Sequence, residues 1–430
     1  MTDSRPRVLA IAEAANPEWV SVPLVGWSLA QALRQVADVH LVTHVRNRDA
    51  ILRAGLVEGR DFTAIDSEAV ARPLWKIAQV LRGGAGKGWT TQQAIAALAY
   101  PYFERKLWQA FGDRIRGGEF DLVHRITPLT PTMSSPVAKK VRAAGVPFVL
   151  GPLNGGVPWP KDFDAERRRE KEWLSYVRGA YKAMPGRGAT LDAAAAIIAG
   201  SRHTQSEIPD RHQGKTFWIP ENAVDPARFP APLARPASGP LRGCFLGRMV
   251  PYKGPDMLLE AAAPLLRDGR MTLDMVGDGP MLEDLKAFAL REGIARAVTF
   301  HGWVEHRDVA GILGAAHALT FPSIREFGGG VVLEAMALGV APAIVDYAGP
   351  GELATEGVGR KVPIGPRARI VADFGALLEE MAADVPGALA MGAAARARVE
   401  AAFTWDRKAE QVRDVYDWAL GRRTDKPAPV

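Results

Sequence analysis

Twice along this chain, five short apolar runs alternate with segments whose apolar residues recur at three- and four-residue spacing. A short apolar run bounded by turn residues reads as a strand buried on both faces. Strands that alternate with helices form a parallel sheet covered on both sides. The first series is Arg7–Ala12, Val39–Thr43, Leu122–His124, Pro147–Leu150 and Ala196–Ala199, with helical patterns such as Leu24–Gln35 and Pro136–Ala144 between. The second is Arg242–Leu246, Thr272–Val276, Val298–His301, Ala318–Phe321 and Ala341–Val345. Its helical patterns are Asp256–Leu266, Met281–Glu292, Asp308–Ala315 and Gly330–Ala337. A proline- and alanine-rich connector, Asp225–Pro240, separates the two series. The expected fold class is therefore α/β, with two doubly wound domains: residues 1–222, a linker at 223–240, and residues 241–400. Residues 401–430 add a terminal amphipathic helix, Trp405–Gly421, anchored by Trp405, Val412, Val415, Tyr416 and Trp418.

Residues 70–118 interrupt the alternation. They interleave Trp75, Trp89, Tyr100, Tyr102, Phe103, Trp108 and Phe111 with lysine and arginine. The pattern predicts a mostly helical insert with a break at Gly83–Gly88. Those glycines lack the spacing and the preceding strand of a phosphate loop. Two readings are open. The insert holds an acceptor or rests on a membrane surface, or it is a helix pair covering the core.

Composition narrows the classes. Apolar residues make up 47% and charged residues 24% of the 430, as in water-soluble globular proteins. The single cysteine, Cys244, excludes an internal disulfide and a cysteine zinc site, and it sits in an apolar run as a small core residue. No stretch reaches the roughly 18–20 apolar residues of a membrane span. The run Val8–Ala12 reads as a first strand rather than a signal peptide, so a cytoplasmic location is expected. The net charge of +6 suits nucleic acid, an anionic membrane face or phosphorylated substrates. No nucleic-acid motif is present, and Arg167–Arg169 lie in a mixed-charge segment that reads as a solvated helix. Peripheral contact with the inner membrane face stays open through the basic aromatic insert.

Ligands of open parallel sheets bind beyond the carboxyl ends of the strands. Four predicted strand ends in the second series carry residues suited to one ligand. The first runs Gly247-Arg248-Met-Val-Pro-Tyr-Lys253-Gly254, the second Gly277-Asp278-Gly279-Pro280, and the third Gly302-Trp303-Val304. The fourth is Pro322-Ser-Ile-Arg-Glu326-Phe327-Gly328-Gly329-Gly330-Val331-Val-Leu-Glu334. Arg248 offers a fixed fork of donors and Lys253 a mobile ammonium, a natural pair for two phosphates. Glycines let the backbone approach a ligand, and a helix starting at Gly330 would aim its free N–H groups at phosphate. Glu326 and Glu334 would accept sugar or ribose hydroxyls. Backbone amides for a diphosphate plus carboxylates for hydroxyls amount to a nucleotide-sugar site. Each charge alone reads as a surface residue, and the glycines alone as a turn before a core helix.

These four elements, in this order, resemble the retaining glycosyltransferases of family 4, the glycosyl transferases group 1. Pro220-Glu-Asn222-Ala-Val-Asp225 is similar to the element that opens their C-terminal domain. The resemblance is specific over roughly residues 218–350 and looser in the N-terminal half. It implies the GT-B architecture: two Rossmann-like domains facing across a cleft, acceptor in the first and nucleoside diphosphate sugar in the second, with the C-terminal helix returning to the first. It implies that Arg248 and Lys253 grip the diphosphate, that Glu334 binds the ribose, and that Glu326 lies at the donor sugar. The loop Phe327 to Val331 and the turns at Gly247, Gly277 and Gly279 would cradle sugar and phosphate.

The N-terminal half departs from that pattern. The family's His-x-His element has one counterpart, His124, followed by Ile126 at the second position. His124 either faces the cleft, with a catalytic part, or is a satisfied core histidine at a strand end. Only Gly26 stands for the family's N-terminal glycine loop. Asn154-Gly155-Gly156 either line the cleft with amides or form a plain turn.

The expected function is transfer of a sugar from a UDP- or GDP-linked donor to a glycan or lipid-linked acceptor, in polysaccharide or glycoconjugate biosynthesis. Beyond this co-substrate no cofactor is expected. No Asp-x-Asp element stands where a metal-dependent enzyme needs one, so metal-independent, hexosyltransferase-type chemistry with retention is expected. The alternative is a catalytically silent nucleotide-sugar-binding partner in a glycan-assembly complex. A GT-B epimerase or phosphorylase is a third, weaker reading.

Overall fold

The computed structural model describes residues 5–70, 89–164, 186–229 and 233–428. Trp75, the break at Gly83–Gly88 and the run Arg167–Arg169 lie outside them. The described residues fall into two compact units. The first holds those of Met1–Gly156, Leu174–Glu221 and Trp405–Val430, and the second those of Val157–Trp173 and Asn222–Thr404. The stretch from Val157, which the sequence pattern leaves in the N-terminal half, thus clusters with the second unit.

In the first unit, seven strands form one parallel sheet. They are β1 (Arg7–Ala12), β2 (Asp38–His44), β3 (Phe62–Ile65), β4 (Leu122–Thr127), β5 (Phe148–Leu153), β6 (Ala196–Ala199) and β7 (Thr216–Trp218). Their order is β3-β2-β1-β4-β5-β6-β7. Side chains alternate across a strand, and β1 shows why this sheet is covered twice. Leu9 and Ile11 enter one apolar layer with Val123 of β4 and with Tyr100, Phe103, Leu107, Phe111 and Ile115. Val8, Ala10 and Ala12 enter the opposite layer with Leu29, Leu33, Val412, Val415 and Tyr416. Each fully buried side chain of this size contributes about 1.5–3 kcal/mol.

The described part of the insert is a helix, Trp89–Arg116. Tyr100, Phe103 and Phe111 are buried under the sheet. Over these residues the core-covering reading holds. The terminal helix, Trp405–Ala419, packs on the helix Val22–Leu33 of the first unit. Arg413 donates to the Val36 carbonyl at 2.8 Å, Gln35 donates to Asp406 at 2.7 Å, and the buried Lys408 ammonium donates to the Pro220 carbonyl.

The second unit repeats the plan. Its strands are β8 (Leu241–Leu246), β9 (Met271–Val276), β10 (Val298–Gly302), β11 (Ala318–Phe321), β12 (Ala341–Asp346) and β13 (Arg360–Pro363), again all parallel. Their order is β10-β9-β8-β11-β12-β13. The order reverses between β8 and β11, and the carboxyl ends of those two strands flank the crevice where such sheets hold ligands. Cys244 of β8 is fully buried, and burial pushes its thiol up, out of the nucleophilic range. Among the described residues no helix is long and apolar enough to cross a membrane.

Candidate active site

Three glycines mark neighbouring strand ends: Gly247 follows β8, Gly277 follows β9, and Gly302 ends β10. The Gly247 amide donates to the Val276 carbonyl at 3.0 Å, and the Gly277 amide to the Gly302 carbonyl at 2.8 Å. The three strand ends are therefore stitched side by side. Gly277 has φ +129°, and a Cβ there would lie 2.0 Å from the Gly247 carbonyl oxygen. A Cβ on Gly279 would lie 2.5 Å from the Met249 carbonyl oxygen. These glycines are required by close packing of one turn on the next.

The loop after β8 meets the loop after β11. Gly254, at φ +70°, lets its backbone press on Pro322, whose carbonyl oxygen would sit 2.5 Å from an added Cβ. The Ile324 amide donates to the Tyr252 carbonyl at 3.0 Å, and the Ser323 hydroxyl to the same oxygen at 3.1 Å. This apposition brings together two predicted site residues: the Lys253 ammonium is ion-paired with the Glu326 carboxylate. Both side chains are mostly covered, and the rings of Phe321 and Tyr252 lie 5.1 and 5.8 Å from the Lys253 nitrogen. Arg248, five residues earlier, is exposed.

Next to Glu326, Arg325 fixes the loop. Its Nε donates to the Val157 carbonyl at 3.2 Å, and its guanidinium lies 5.0 Å from the Trp159 ring. Tyr347 donates to the Pro158 carbonyl at 2.9 Å. Val157-Pro158-Trp159 thus act as a brace for the glutamate loop. Sequence reasoning missed this brace, because its only local signal is the proline and tryptophan after Gly155-Gly156.

Beyond Glu326 the chain runs through Phe327 and Gly328 to Gly329, which caps the helix Gly330–Ala337 at φ +59°. A Cβ on Gly329 would meet the Leu353 side chain at 2.7 Å, so packing accounts for this glycine. At Gly330 the nearest atom to an added Cβ is the Asn222 amide nitrogen at 3.8 Å, an ordinary van der Waals contact, so no clash requires this glycine. The amides of Gly330 and Val331 head the helix, where the helix itself supplies no acceptor. Glu334 sits one turn further on. Burial pushes its carboxyl up to about 7, against the pull of Arg228.

That shift has a sign. The folded chain holds the Glu334 proton more tightly than the unfolded chain, so the protonated form stabilises the fold at low pH. This contribution shrinks as pH rises from about 4.5 to about 7, by at most about 1.4 kcal/mol per pH unit. In urea unfolding, the wild type should lose stability relative to Glu334→Gln across this window. Parallel pH profiles would show that Glu334 titrates normally.

The predicted residues of the first half lie in the first unit. His124 is fully buried. Its Nε2 donates to the Gly151 carbonyl at 2.6 Å, and its Nδ1 accepts from the Tyr416 hydroxyl at 2.6 Å. A carbonyl only accepts, which fixes the neutral tautomer, and burial pushes the imidazole down to about 4. His124 is therefore the satisfied core histidine, and the catalytic alternative is corrected. Gly26 lies inside the helix Val22–Leu33, where an added Cβ would come within 2.1 Å of the Ala14 carbonyl oxygen. It serves helix packing rather than a loop. The Gly155 amide donates to Thr204 Oγ1 at 3.0 Å and the Gly156 amide to Asn154 Oδ1 at 2.8 Å. The Asn154 side-chain amide donates to Glu221 at 2.8 Å. Both glycine amides are spent within the unit, as in a plain turn.

Residues 236–397 match the family model of the glycosyl transferases group 1. A glycogen synthase of Mycobacterium tuberculosis is 31% identical over 210 residues, covering 48% of this chain and 50% of that protein. A D-inositol 3-phosphate glycosyltransferase of Streptomyces griseus is 36% identical over 192 residues, covering 41% and 39%. The chain spans half or less of these two curated relatives. In fold, 97% of the chain superposes on all of a sucrose-phosphate synthase from Thermosynechococcus elongatus, with TM-score 0.61 and 18% identity. Anabaena Alr3699/HepE in complex with UDP matches 96% of the chain, with TM-score 0.57 and 15% identity.

Proposed function

We propose, from the match of residues 236–397 to the family model of the glycosyl transferases group 1, that the chain moves a sugar from a nucleoside diphosphate to an acceptor hydroxyl. The observation that carries this reading is the meeting of Lys253 and Glu326 at the crevice between β8 and β11, beside glycine turns and a helix start. A cation there suits a diphosphate, and a carboxylate suits sugar hydroxyls. The HepE structure holds UDP on the same fold, which supports a nucleotide donor. Trp303, 69% exposed beside Gly302, offers a ring face for the nucleobase.

In this reading the bond between the sugar's anomeric carbon and the diphosphate breaks, leaving an oxocarbenium-like sugar and a more negative diphosphate. Arg248, Lys253 and the N-terminus of the helix at Gly330 stabilise that charge. Glu334 holds the ribose and Glu326 the sugar. The acceptor oxygen attacks from the face the diphosphate leaves, and the departing phosphate takes its proton, so the configuration is retained without a protein base or a metal. The acceptor is a glycan or a lipid-linked glycan, held by the first unit at a membrane face or in solution.

The test is a thermal-shift panel with UDP, GDP, ADP and their common sugars, with and without EDTA. A ligand at 100 times its dissociation constant stabilises by about 2.7 kcal/mol, enough for a clear shift. One base should win, and its shift should survive EDTA. No shift with any of them would overturn the donor assignment. One observation favours a second reading. His124 is locked in the core, so the first unit lacks that histidine at the sugar, as a silent nucleotide-sugar-binding partner would. Donor binding without turnover on any glycan acceptor would select this alternative.

A further inference from the structure

Two cations follow β8, and they are in different states. Arg248 is exposed. Lys253 is engaged by Glu326, with the two side chains only 14% and 21% exposed and two aromatic rings close to the ammonium. Ion pairs walled off from water are stronger than exposed ones, and removing one partner leaves the other charge costly to bury. The Lys253 ammonium can only donate, and the Glu326 carboxylate can only accept. That ammonium has three N–H donors, but a diphosphate drawn to it meets the negative charge of Glu326, and two anions held against one cation repel each other. The backbone around Glu326 is held by Ser323, Ile324 and Arg325, so the exchange needs only side-chain movement.

A bare nucleoside diphosphate that takes Lys253 gives Glu326 no donor in return. A nucleoside diphosphate carrying a sugar brings hydroxyls that do. We infer that Glu326 is a selectivity latch: it occupies Lys253 in the empty site and yields it to a nucleotide that carries a hydroxyl-bearing sugar. The latch rests on the donor reading above and deepens it. It favours the donor over the nucleoside diphosphate product and so speeds product release.

Isothermal titration of the full chain tests this with the pairs UDP and UDP-glucose, GDP and GDP-mannose, and ADP and ADP-glucose. Glu326→Gln should bind the matching bare diphosphate about tenfold tighter, a gain of about 1.4 kcal/mol. The nucleotide sugar should bind no tighter, so the preference for it falls about tenfold. Glu326→Ala should show the same gain for the bare diphosphate, because the effect comes from the lost carboxylate. Unchanged or weaker binding of the bare diphosphate by both variants would overturn the latch. Lys253→Ala separates the two levels of the argument. If it weakens both ligands while Glu326→Gln gains nothing, the donor site stands and the latch falls. If it weakens neither, or if wild type binds none of the pairs, the donor reading fails and the latch with it.

Discussion

Lys253→Ala is expected to lower kcat by roughly 10²–10³, the cost of removing one preorganised group that faces developing negative charge. Arg248→Ala should cost less, and the difference follows from their surroundings. Two unit charges 4 Å apart interact by about 1 kcal/mol in water and about 4 kcal/mol at an effective dielectric of 20. Lys253 works among the rings of Phe321 and Tyr252, whereas Arg248 is exposed. The loss at Lys253 should fall on kcat more than on KM, because charge builds on the diphosphate as the bond breaks. Steady-state kinetics with the nucleotide sugar chosen by the thermal panel would read it. A Lys253→Ala enzyme within threefold of wild type would remove Lys253 from the chemistry. If Arg248→Ala proves the more damaging, the bound donor covers Arg248 and strips its water.

Gly277→Ala is expected to destabilise the second unit by about 2–6 kcal/mol. Two costs add. The backbone at φ +129° is one that L side chains rarely adopt, which costs about 1–3 kcal/mol. The new Cβ also meets the Gly247 carbonyl oxygen at 2.0 Å, and overpacking of this kind costs about 1–3 kcal/mol. The obstacle is backbone, so relief must come from moving the turn that carries Arg248. Nucleotide binding should weaken along with stability. Gly293 provides the contrast: it also has a positive φ, +71°, but nothing lies within 4 Å of an added Cβ. Gly293→Ala should show the conformational cost alone, about 1 kcal/mol. Urea unfolding of both variants would separate strain from collision, and equal losses would mean that the turn absorbs the methyl group.

The strands that the sequence hides share one position. β3, β7 and β13 each lie at an edge of their sheet. An edge strand has one paired neighbour, so it is short and needs few apolar residues. β13 reads Arg-Lys-Val-Pro with only Val362 buried, and β7 is three residues long. Central strands such as β1 and β12 are buried on both faces and announce themselves as continuous apolar runs. The same contrast governs the site. The helix at Gly330–Ala337 matches its expected bounds, because glycine punctuation and an apolar run are local signals. The partners of the site residues are not local. Lys253 and Glu326 are 73 residues apart, and His124 meets Tyr416 across 292. Whether a strand-end histidine faces a ligand or the core depends on which distant hydroxyl reaches it. Spacing within a motif carries no information about that.

The terminal helix has a consequence for the order in which the molecule can be made. Val412, Val415 and Tyr416 belong to the apolar layer under β1 and β4, yet they are translated after all of Asn222–Thr404. A growing chain therefore finishes the strands of its second sheet while the apolar layer that the first shares with the helix Val22–Leu33 is still partly open, with His124 awaiting its hydroxyl and Pro220 its ammonium. Of the two units, the one whose strands are translated first is the one that closes last. Until Trp405–Ala419 leaves the ribosome, the open part of that layer is a natural target for a chaperone.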